Sequence, residues 1–214
     1  TRTLNVNGES NFNSFNPDYS LILNNQTYSG KIKGSHWNIA CNETTGTYIV
    51  GTSNSIAGDY RMLRSAPNNL TSWTEFDSAT FLYGNMRHCA YGNGVWVVGT
   101  AASVGQNFFH SIDDGLTWVQ HANSIPFNSS RIYSRLRYIN GQFIALSGVA
   151  EGRVAFSSDG QNWSLRKIIT TNYVLTDIVY SPELRIYVIS TGSNAILYYE
   201  DPTNAGLTNS TTFT

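Results

Sequence analysis

Three arginines stand close together in the sequence and are the first candidates for binding an anion. Arg131, Arg135 and Arg137 lie in the segment Ser-Arg-Ile-Tyr-Ser-Arg-Leu-Arg. A hydrolase that clamps a sugar carboxylate needs arginines that converge from separate elements, together with a nucleophile and an acid. Arg135 and Arg137 are two residues apart, so on a β-strand they share one face and point the same way. The spacing therefore favours an interface strand with solvated arginines over a catalytic clamp.

The histidines do not form a recognisable catalytic or metal-binding pattern. His36, His88, His110 and His121 occur singly, without the spacing of a zinc site. The chain also lacks a Gly-x-Ser-x-Gly nucleophile motif and a phosphate-binding loop. We therefore predict no catalytic residue, no cofactor and no metal, with a zinc site that includes His88 and His110 as the alternative.

Cys41 and Cys89 are the two cysteines of the chain. A secreted scaffold that depended on disulfides would show more cysteines at closer spacing. We predict that both are small buried thiols, and a single bridge between them is the alternative.

Aromatic side chains offer a second kind of chemistry, which is stacking against sugar rings. Aromatic faces pack on sugars while Asn, Asp and Arg satisfy the hydroxyl groups. The candidate glycan or partner contacts are Trp96, Arg131, Tyr133, Arg135, Tyr138, Tyr198 and Tyr199. The aromatic members of this set are equally suited to packing on strand faces, and that alternative stays open at the level of sequence.

Composition excludes several classes of protein. The 214 residues are 13% charged with a net charge of −1, and 41% of them are hydrophobic. A nucleic-acid-binding face would need more positive charge, and a disordered chain would be less hydrophobic. No apolar stretch approaches the roughly 18 residues of a membrane helix, and the N-terminal segment lacks the apolar core of a signal peptide. We predict no nucleic-acid partner and no membrane insertion.

Internal repeats determine the predicted fold. A pair of strands whose second member ends at or near a glycine recurs four times, over residues 38–51, 88–99, 136–148 and 176–192. The turns Gly92-Asn93-Gly94 and Asn140-Gly141 supply the positive φ angles that tight hairpins need. Alternating or continuous apolar residues on both sides are typical of half-buried and buried strands.

A second hairpin follows each of these pairs. It covers residues 63–73, 110–118 and 156–163, with a degenerate copy over 196–208. Trp73, Trp118 and Trp163 are spaced 45 residues apart. A unit of about 45 residues with two hairpins has the size of a propeller blade. We predict four blades, over residues 31–79, 80–124, 125–170 and 171–214.

One of these second hairpins carries a known motif. Ser111, Asp113, Gly115, Thr117 and Trp118 stand in the run Ser-Ile-Asp-Asp-Gly-Leu-Thr-Trp. This run resembles, at every defined position, the Asp-box of BNR (sialidase-like) repeats. The resemblance implies a structural turn between the third and fourth strands of a blade, not a catalytic motif. Asp and Ser satisfy backbone N–H groups in such turns, and glycine supplies a positive φ.

The other copies of the box are incomplete. Gly160 and Trp163 keep the pattern in the third blade, where Ser158 aligns with the first Asp of the box. Only Trp73 remains in the first blade.

The succession of both hairpins also resembles repeats of bacteriophage tail fibres and other virion-associated β-propeller proteins, over residues 30–214. We predict an all-β fold, a small β-propeller of about four blades of four antiparallel strands, preceded by a non-repeat N-terminal arm over residues 1–29. Two segments of this arm could each add a strand, namely Thr3-Leu-Asn-Val-Asn and residues 18–25. The arm either latches the ring or docks on a partner, and docking is favoured because the C-terminal strand already completes the fourth blade.

The resemblance implies a non-enzymatic structural or attachment protein of a bacteriophage virion, such as a tail, fibre or decoration component. Its expected location is the virion, after synthesis in the host cytoplasm. Other virion proteins are the expected partners, through residues 1–29, and a homo-oligomer and a host-surface glycan stay open. The alternative is a carbohydrate-binding (lectin-like) or host-receptor-binding propeller. A glycosidase is less favoured, since the sialidase frame has six blades and is longer than this chain.

Overall fold

The structure is a computed structural model that describes residues 22–23, 26–27, 35–53, 62–76, 86–100, 108–121, 133–150, 152–167, 173–193, 196–200 and 211–213. Regular structure in these ranges consists of β-strands joined by turns. Nowhere in these ranges is there a helix long and apolar enough to cross a membrane.

Four antiparallel sheets of four strands follow one another along the chain, and we call them blades 1 to 4. Before them, β1 (Ile22–Leu23) and β2 (Gln26–Thr27) form a short hairpin. Blade 1 contains β3 (Ser35–Asn42), β4 (Thr47–Ser53), β5 (Met62–Ala66) and β6 (Asn69–Phe76). Blade 2 contains β7 (Met86–Gly92), β8 (Val95–Thr100), β9 (Phe108–Ser111) and β10 (Val119–Gln120). Blade 3 contains β11 (Tyr133–Ile139), β12 (Gln142–Ser147), β13 (Arg153–Ser157) and β14 (Ser164–Lys167). Blade 4 contains β15 (Leu175–Ser181), β16 (Ile186–Thr191), β17 (Ile196–Glu200) and β18 (Thr211–Phe213).

This arrangement confirms the predicted all-β fold of four blades with four antiparallel strands each, and every sheet lies within its predicted range. The hairpin β1–β2 lies in the predicted arm, and β1 falls in the segment 18–25 that was expected to hold a strand. The other expected strand of the arm, over residues 3–7, lies outside the described residues.

The first hairpin turns of blades 2 and 3 have the backbone that the sequence predicts. Asn93 and Gly94 have φ angles of 49° and 77°, and Asn140 and Gly141 have 51° and 73°. Two successive positive φ angles are characteristic of the type I′ turn, whose twist matches that of the flanking strands. Asn and Gly adopt this conformation at lower cost than other residues, which explains why the chain turns here.

Successive blades pack face to face through their first strands and through apolar side chains between the sheets. Strands β3, β7, β11 and β15 contact one another in series. Three clusters of buried apolar side chains lie between the blades, one at each interface from blade 1 to blade 4. A four-stranded sheet cannot bury both faces alone, so stacking supplies the core.

The register of the strands defines two faces in every blade. We call the side toward the preceding blade the leading face and the side toward the next blade the trailing face. Cys89, Leu136 and Ile178 occupy one equivalent position on the leading faces of blades 2 to 4 and are at most 2% exposed. Alternation along each strand places the neighbouring residues on the trailing face.

Candidate functional site

The motif turn of blade 2 is held together by the side chains that the sequence singles out. Asp113 accepts hydrogen bonds from Ser111 Oγ at 2.7 Å and from the backbone N–H of Thr117 at 2.9 Å. Ser111 Oγ in turn accepts a bond from the N–H of Gly115 at 2.9 Å. The indole N–H of Trp118 donates to the carbonyl of Gly115 at 3.1 Å. These bonds satisfy backbone groups that the turn would otherwise leave unpaired.

The same bonds explain the acidity of Asp113. Burial acts to raise the pKa of its carboxyl group, but the hydrogen bonds from Thr117 and Ser111 outweigh burial and lower the pKa to about 2. A carboxylate with this pKa is ionised at neutral pH and acts as an acceptor. Asp113 is therefore suited to holding the turn and poorly suited to donating a proton.

The turn of blade 3 is also held by an aspartate, but this is not the residue that the alignment of the repeats indicates. Asp159, not Ser158, accepts the bonds that organise the turn, including the N–H groups of Gln161 and Asn162 at 2.8 and 2.7 Å. Ser157 Oγ donates to Asp159 at 3.0 Å. The aspartate of this turn stands one residue nearer to the tryptophan than in blade 2, and alignment on Trp163 therefore misassigns it.

Blade 1 keeps the tryptophan bond without the aspartate. Trp73 donates its indole N–H to the carbonyl of Leu70 at 2.8 Å, three residues before it. Trp163 does the same to Gly160 at 3.2 Å. The position that Asp113 fills in blade 2 is taken over by Asn69, which accepts a bond from the N–H of Thr71 at 2.9 Å. The three blades thus share the bond from the tryptophan N–H to the carbonyl three residues before it.

A buried polar cluster centred on Asp114 joins blade 2 to blade 1, and the sequence reasoning missed it. Asp114 Oδ1 accepts hydrogen bonds from Asn42 Nδ2 at 2.8 Å and Thr45 Oγ1 at 3.2 Å. Its Oδ2 accepts one from Thr47 Oγ1 at 2.6 Å and lies 3.3 Å from Arg64 Nη2. The Nε of Arg64 also donates to the backbone carbonyl of Asp114 at 2.7 Å.

The charged side chains of this cluster are largely shielded from solvent. The side chain of Arg64 is 7% exposed and that of Asp114 is 21% exposed. The indole N–H of Trp96 adds a further bond to Asp114 at 3.2 Å. Burial acts to raise the pKa of the Asp114 carboxyl group, and the hydrogen bonds from Thr47, Asn42 and Trp96 lower it on balance. The carboxylate is held ionised beside a buried guanidinium, which is a structural use of charge.

A second charged cluster lies on the first strands of blades 3 and 4. Arg137 binds Asp177 through two bonds, from Nε at 2.8 Å and from Nη2 at 2.9 Å. Arg135 Nε lies 3.2 Å from the same carboxylate. Both arginines therefore point the same way, as their spacing predicts, and they pair with the next blade. About a third of each of the three side chains is exposed to solvent.

Two of the histidines come together although nothing in their spacing pairs them. The rings of His110 and His121 lie 4.6 Å apart between centroids. Burial lowers the pKa of both below the usual 6.5, and for His121 the neighbouring His110 lowers it further. Asp159 of blade 3 acts on both histidines in the opposite direction. Across the described part of the chain, no group of three or more His, Cys, Asp or Glu is arranged to hold a metal ion.

The proposed glycan contacts are dispersed, and one of them is wrong. Trp96 is fully buried, packs against Tyr91 with ring centroids 4.8 Å apart, and donates to Asp114, so a ligand cannot reach it. Tyr138 packs on Phe143 in an edge-on arrangement at 4.8 Å. Arg131 lies outside the described residues.

The remaining tyrosines stay predictions as ligand contacts. Tyr133 begins β11 and Tyr199 lies in β17, and the positions of their side chains are outside what the structure describes. Tyr198 is half-buried on the trailing face of blade 4, opposite Val188 in the strand pairing. These three residues belong to two different blades, so they do not repeat a contact from blade to blade.

Both cysteines are free thiols, which excludes the alternative of a bridge between them. Cys89 is buried at the interface of blades 1 and 2, where its Sγ lies 3.0 Å from Asn38 Oδ1. Desolvation raises the pKa of Cys89 to about 12, so the thiol stays protonated and unreactive. Cys41 is half-buried, and burial raises the pKa of its thiol as well.

Comparison with known proteins supports the fold and leaves the function open. No protein-family model matches the chain, and no curated protein sequence matches it. Among solved structures, it is similar to YCF48 bound to D1 peptide, with a TM-score of 0.53 and 17% identity over 86% of this chain and 55% of that one. It is also similar to YCF48 from Cyanidioschyzon merolae, with a TM-score of 0.58 and 10% identity over 84% of this chain and 56% of that one.

An enzyme has the same fold. A GH74 enzyme of Niastella koreensis aligns with a TM-score of 0.59 and 13% identity over 83% of this chain and 30% of the enzyme. The chain thus spans a little over half of the YCF48 chains and under a third of the GH74 enzyme. At these identities the likeness concerns architecture alone. The four sheets and these neighbours together show that the chain is a β-propeller protein.

Proposed function

We propose that this chain is a non-enzymatic structural or attachment protein that acts through protein–protein contacts of its propeller. The observation that carries the proposal is the use made of four aspartates. Asp113 and Asp159 hold turns, Asp114 ties blade 2 to blade 1, and Asp177 pairs with the arginines of blade 3. Each carboxylate is already occupied by partners within the chain.

The acidity of these groups supports the same view. A glycosidase needs a general acid whose pKa is raised toward neutrality. Hydrogen bonds lower the pKa of Asp113, Asp114, Asp159 and Asp177, against the effect of burial. Carboxylates of this kind remain ionised and accept hydrogen bonds. They serve rigidity better than proton transfer.

The contact surface that we assign to this function is the cluster of Arg135, Arg137 and Asp177. Two guanidinium groups face one carboxylate, so the cluster carries one excess positive charge at neutral pH. Its side chains are between 29% and 37% exposed, which leaves donors accessible to a partner. A carboxylate of a partner protein would form charge-assisted hydrogen bonds there. The solved YCF48 structure holds a peptide, and we extend peptide recognition to this chain as part of the proposal.

The setting that we propose is a bacteriophage virion. The repeats over residues 30–214 resemble those of virion-associated propellers, and the low charge with abundant uncharged polar residues suits such a surface. Residues 1–29 would attach the propeller to other virion proteins. The alternative of a carbohydrate-binding or receptor-binding propeller would use the same rigid frame with a glycan as the ligand.

Mass spectrometry of purified particles tests the virion role directly. We expect the chain to be a stoichiometric component of the particle and to be lost from it on deletion of residues 1–29. Arg137→Ala should weaken incorporation, whereas Arg185→Ala, in the exposed β15–β16 turn, should leave it unchanged. Absence of the chain from particles would refute the virion role.

Two assays on the purified chain test the other parts of the proposal. Hydrolysis of capsular or sialylated glycans would show that the protein is an enzyme. Binding to a glycan array that is abolished by Arg137→Ala would replace protein attachment with carbohydrate binding. We expect neither hydrolysis nor glycan binding.

A further inference from the structure

The first hairpin turns of blades 2 and 3 carry a pair of residues that can react with each other. In an Asn-Gly pair the backbone nitrogen of the glycine can attack Cγ of the asparagine, because glycine has no Cβ to hinder the approach. One further pair of this kind, Asn7-Gly8, lies outside the described residues. Asn93-Gly94 and Asn140-Gly141 are exposed, and a Cβ added at either glycine would meet nothing within 4 Å. Both turns therefore leave room for the attack.

The reaction is a deamidation, and its one reagent is water. A bond forms between the glycine nitrogen and Cγ of the asparagine while the bond from Cγ to Nδ2 breaks. The amide group leaves as ammonia, together with the proton of the glycine N–H. Water then opens the resulting succinimide ring at one of its two carbonyls. The product is an aspartate or an isoaspartate, so one neutral residue gains a carboxylate.

The two turns have the same backbone but hold their asparagines differently. Each Asn-Gly pair connects the first strand of its blade to the second, and the φ angles of Asn93 and Asn140 are 49° and 51°. The Nδ2 group of Asn140 donates a hydrogen bond to the hydroxyl of Tyr187 in blade 4 at 3.2 Å. Within the described residues, the side chain of Asn93 makes no hydrogen bond. Only one of the two amides is thus restrained.

One difference in sequence between the blades accounts for this contrast. Phe143 and Tyr187 are each the second residue of the second strand, in blades 3 and 4, and they are 0% and 1% exposed. Phe143 belongs to the apolar cluster that includes Val95, the residue that follows the turn of blade 2. A phenylalanine ring has no hydroxyl to accept a bond from Asn93. The next blade therefore presents a hydroxyl to the turn of blade 3 and a bare ring to the turn of blade 2.

The bond to Tyr187 should slow the reaction at Asn140. The attack requires the asparagine side chain to turn toward its own glycine, which needs a local opening of the hairpin turn. At Asn140 the same movement also breaks the hydrogen bond between blades 3 and 4. The net contribution of one such bond corresponds to a change in rate of about 2–10-fold. Asn93 can react without this additional cost.

We propose that Asn93 is a site of spontaneous deamidation in this protein and that Tyr187 protects Asn140 from the same reaction. An isoaspartate adds one atom to the backbone of a two-residue turn, so the pairing of Gly92 with Val95 would no longer fit. Chemical ageing would therefore begin at the first hairpin of blade 2. The inference does not depend on the proposed virion role.

Peptide mapping by mass spectrometry tests the proposal on the full-length chain kept in mildly alkaline buffer. Each deamidated peptide changes in mass by the difference between NH2 and OH. We expect Asn93 to be lost about 2–10 times faster than Asn140. In guanidinium chloride the two rates should become equal, because the protection of Asn140 comes from the fold. Equal rates in the folded protein would overturn the proposal, and so would a difference that persists in the unfolded chain.

Removal of one hydroxyl group identifies the protecting contact. Tyr187→Phe should raise the rate at Asn140 to that at Asn93 and leave Asn93 unchanged. Tyr180→Phe is the matched control, because the ring of Tyr180 packs on that of Tyr187 at 4.7 Å and loss of its hydroxyl should change neither rate. A slow reaction at Asn140 in Tyr187→Phe would overturn the protective role of the bond. An equal acceleration in Tyr180→Phe would overturn it too, since loosening of blade 4 would then be the cause.

The reciprocal exchange tests the same contact in blade 2. Phe143→Tyr should slow the loss of Asn93, because the new hydroxyl takes the place that the Tyr187 hydroxyl has beside Asn140. The rate at Asn140 in the same molecules serves as the internal control and should not change. An unchanged rate at Asn93 would show that the missing hydroxyl is not what leaves this turn unprotected.

Discussion

The interface between blades 1 and 2 and the interface between blades 3 and 4 use opposite chemistry at the same position. The third strand carries Arg64 in blade 1 and Phe156 in blade 3. Each is paired with the equivalent residue of the second strand, Ile49 or Ile144. Arg64 is buried against Asp114 of blade 2, whereas Phe156 packs edge-on against Tyr187 of blade 4 at 6.3 Å. One backbone thus supports a buried ion pair and an aromatic contact.

The middle interface is intermediate between these two. His110 of blade 2 occupies the position of Arg64, and Asp159 in the turn of blade 3 acts on it as a nearby charge. At the first two interfaces, therefore, a basic side chain of one blade faces an aspartate in the turn of the next. At the third interface the charged residues lie on the first strands, where Arg137 and Asp177 are partly exposed. The comparison teaches that burial, and not the number of ion pairs, should decide how much each interface depends on charge.

Asp114→Ala should have the largest effect, because it removes the acceptor for a buried guanidinium. Breaking one partner of a buried ion pair typically costs about 3 kcal/mol or more. Arg64 would be left buried without its carboxylate, and Asn42 and Thr47 would lose an acceptor. Urea denaturation measures the fall in the free energy of unfolding. The variant Asp114→Ala with Arg64→Met should recover much of the loss, and failure to recover it would show that the charge is not the cause.

Gly92→Ala probes the middle interface through shape instead of charge. A Cβ at Gly92 would lie 2.0 Å from Cγ of Tyr138, which is held in place by Phe143. Overpacking of this kind costs about 1–3 kcal/mol. In a Tyr138→Ala background the same substitution should cost far less, and a double-mutant cycle in urea gives the coupling. Equal costs in both backgrounds would mean that the ring is not the obstacle.

The repeat pattern predicted the fold well because its signals are local. Turn residues such as Asn140 and Gly141 have their effect within four residues of sequence, and Trp118 bonds to a carbonyl three residues before it. Such features can be identified without knowing what lies across the interface. The four blades and their strand content follow from these signals alone.

The contacts between blades could not be predicted in the same way. Asp114 stands at a position that the motif leaves undefined, and its partners Asn42 and Thr47 are 72 and 67 residues away. Trp96 looks like a surface aromatic in the sequence, but it is buried in the core cluster between blades 1 and 2, where its indole N–H donates to Asp114 of its own blade. The role of Asp159 was missed because the turn of blade 3 is one residue shorter than that of blade 2, which shifts the alignment of the two repeats. These outcomes depend on which side chains meet across sheets, and periodicity carries no information on that.

Mild acid should weaken the middle interface before the others. His110 and His121 have pKa values lowered below 6.5 by burial, so the unfolded chain binds protons more readily than the folded one. The free energy of unfolding should therefore decrease as the pH falls from about 7 through the unfolded-state pKa near 6.5. The double variant His110→Gln, His121→Gln should show a smaller decrease over this range in urea denaturation. An unchanged dependence on pH would assign the titration to other groups.

Asp177→Ala should have the smallest effect, although it removes a carboxylate with two arginine partners. Its side chain is 35% exposed, and Arg135 and Arg137 are similarly exposed, so water can replace the lost acceptor. Ion pairs at such sites contribute about 0–1 kcal/mol and weaken as salt screens them. The cost in urea should be under about 1 kcal/mol and should shrink at high salt, whereas the cost of Asp114→Ala should hardly change with salt. If both substitutions cost the same and respond equally to salt, burial does not separate the two interfaces, because the dielectric surroundings of Arg64 and Arg137 would then be alike.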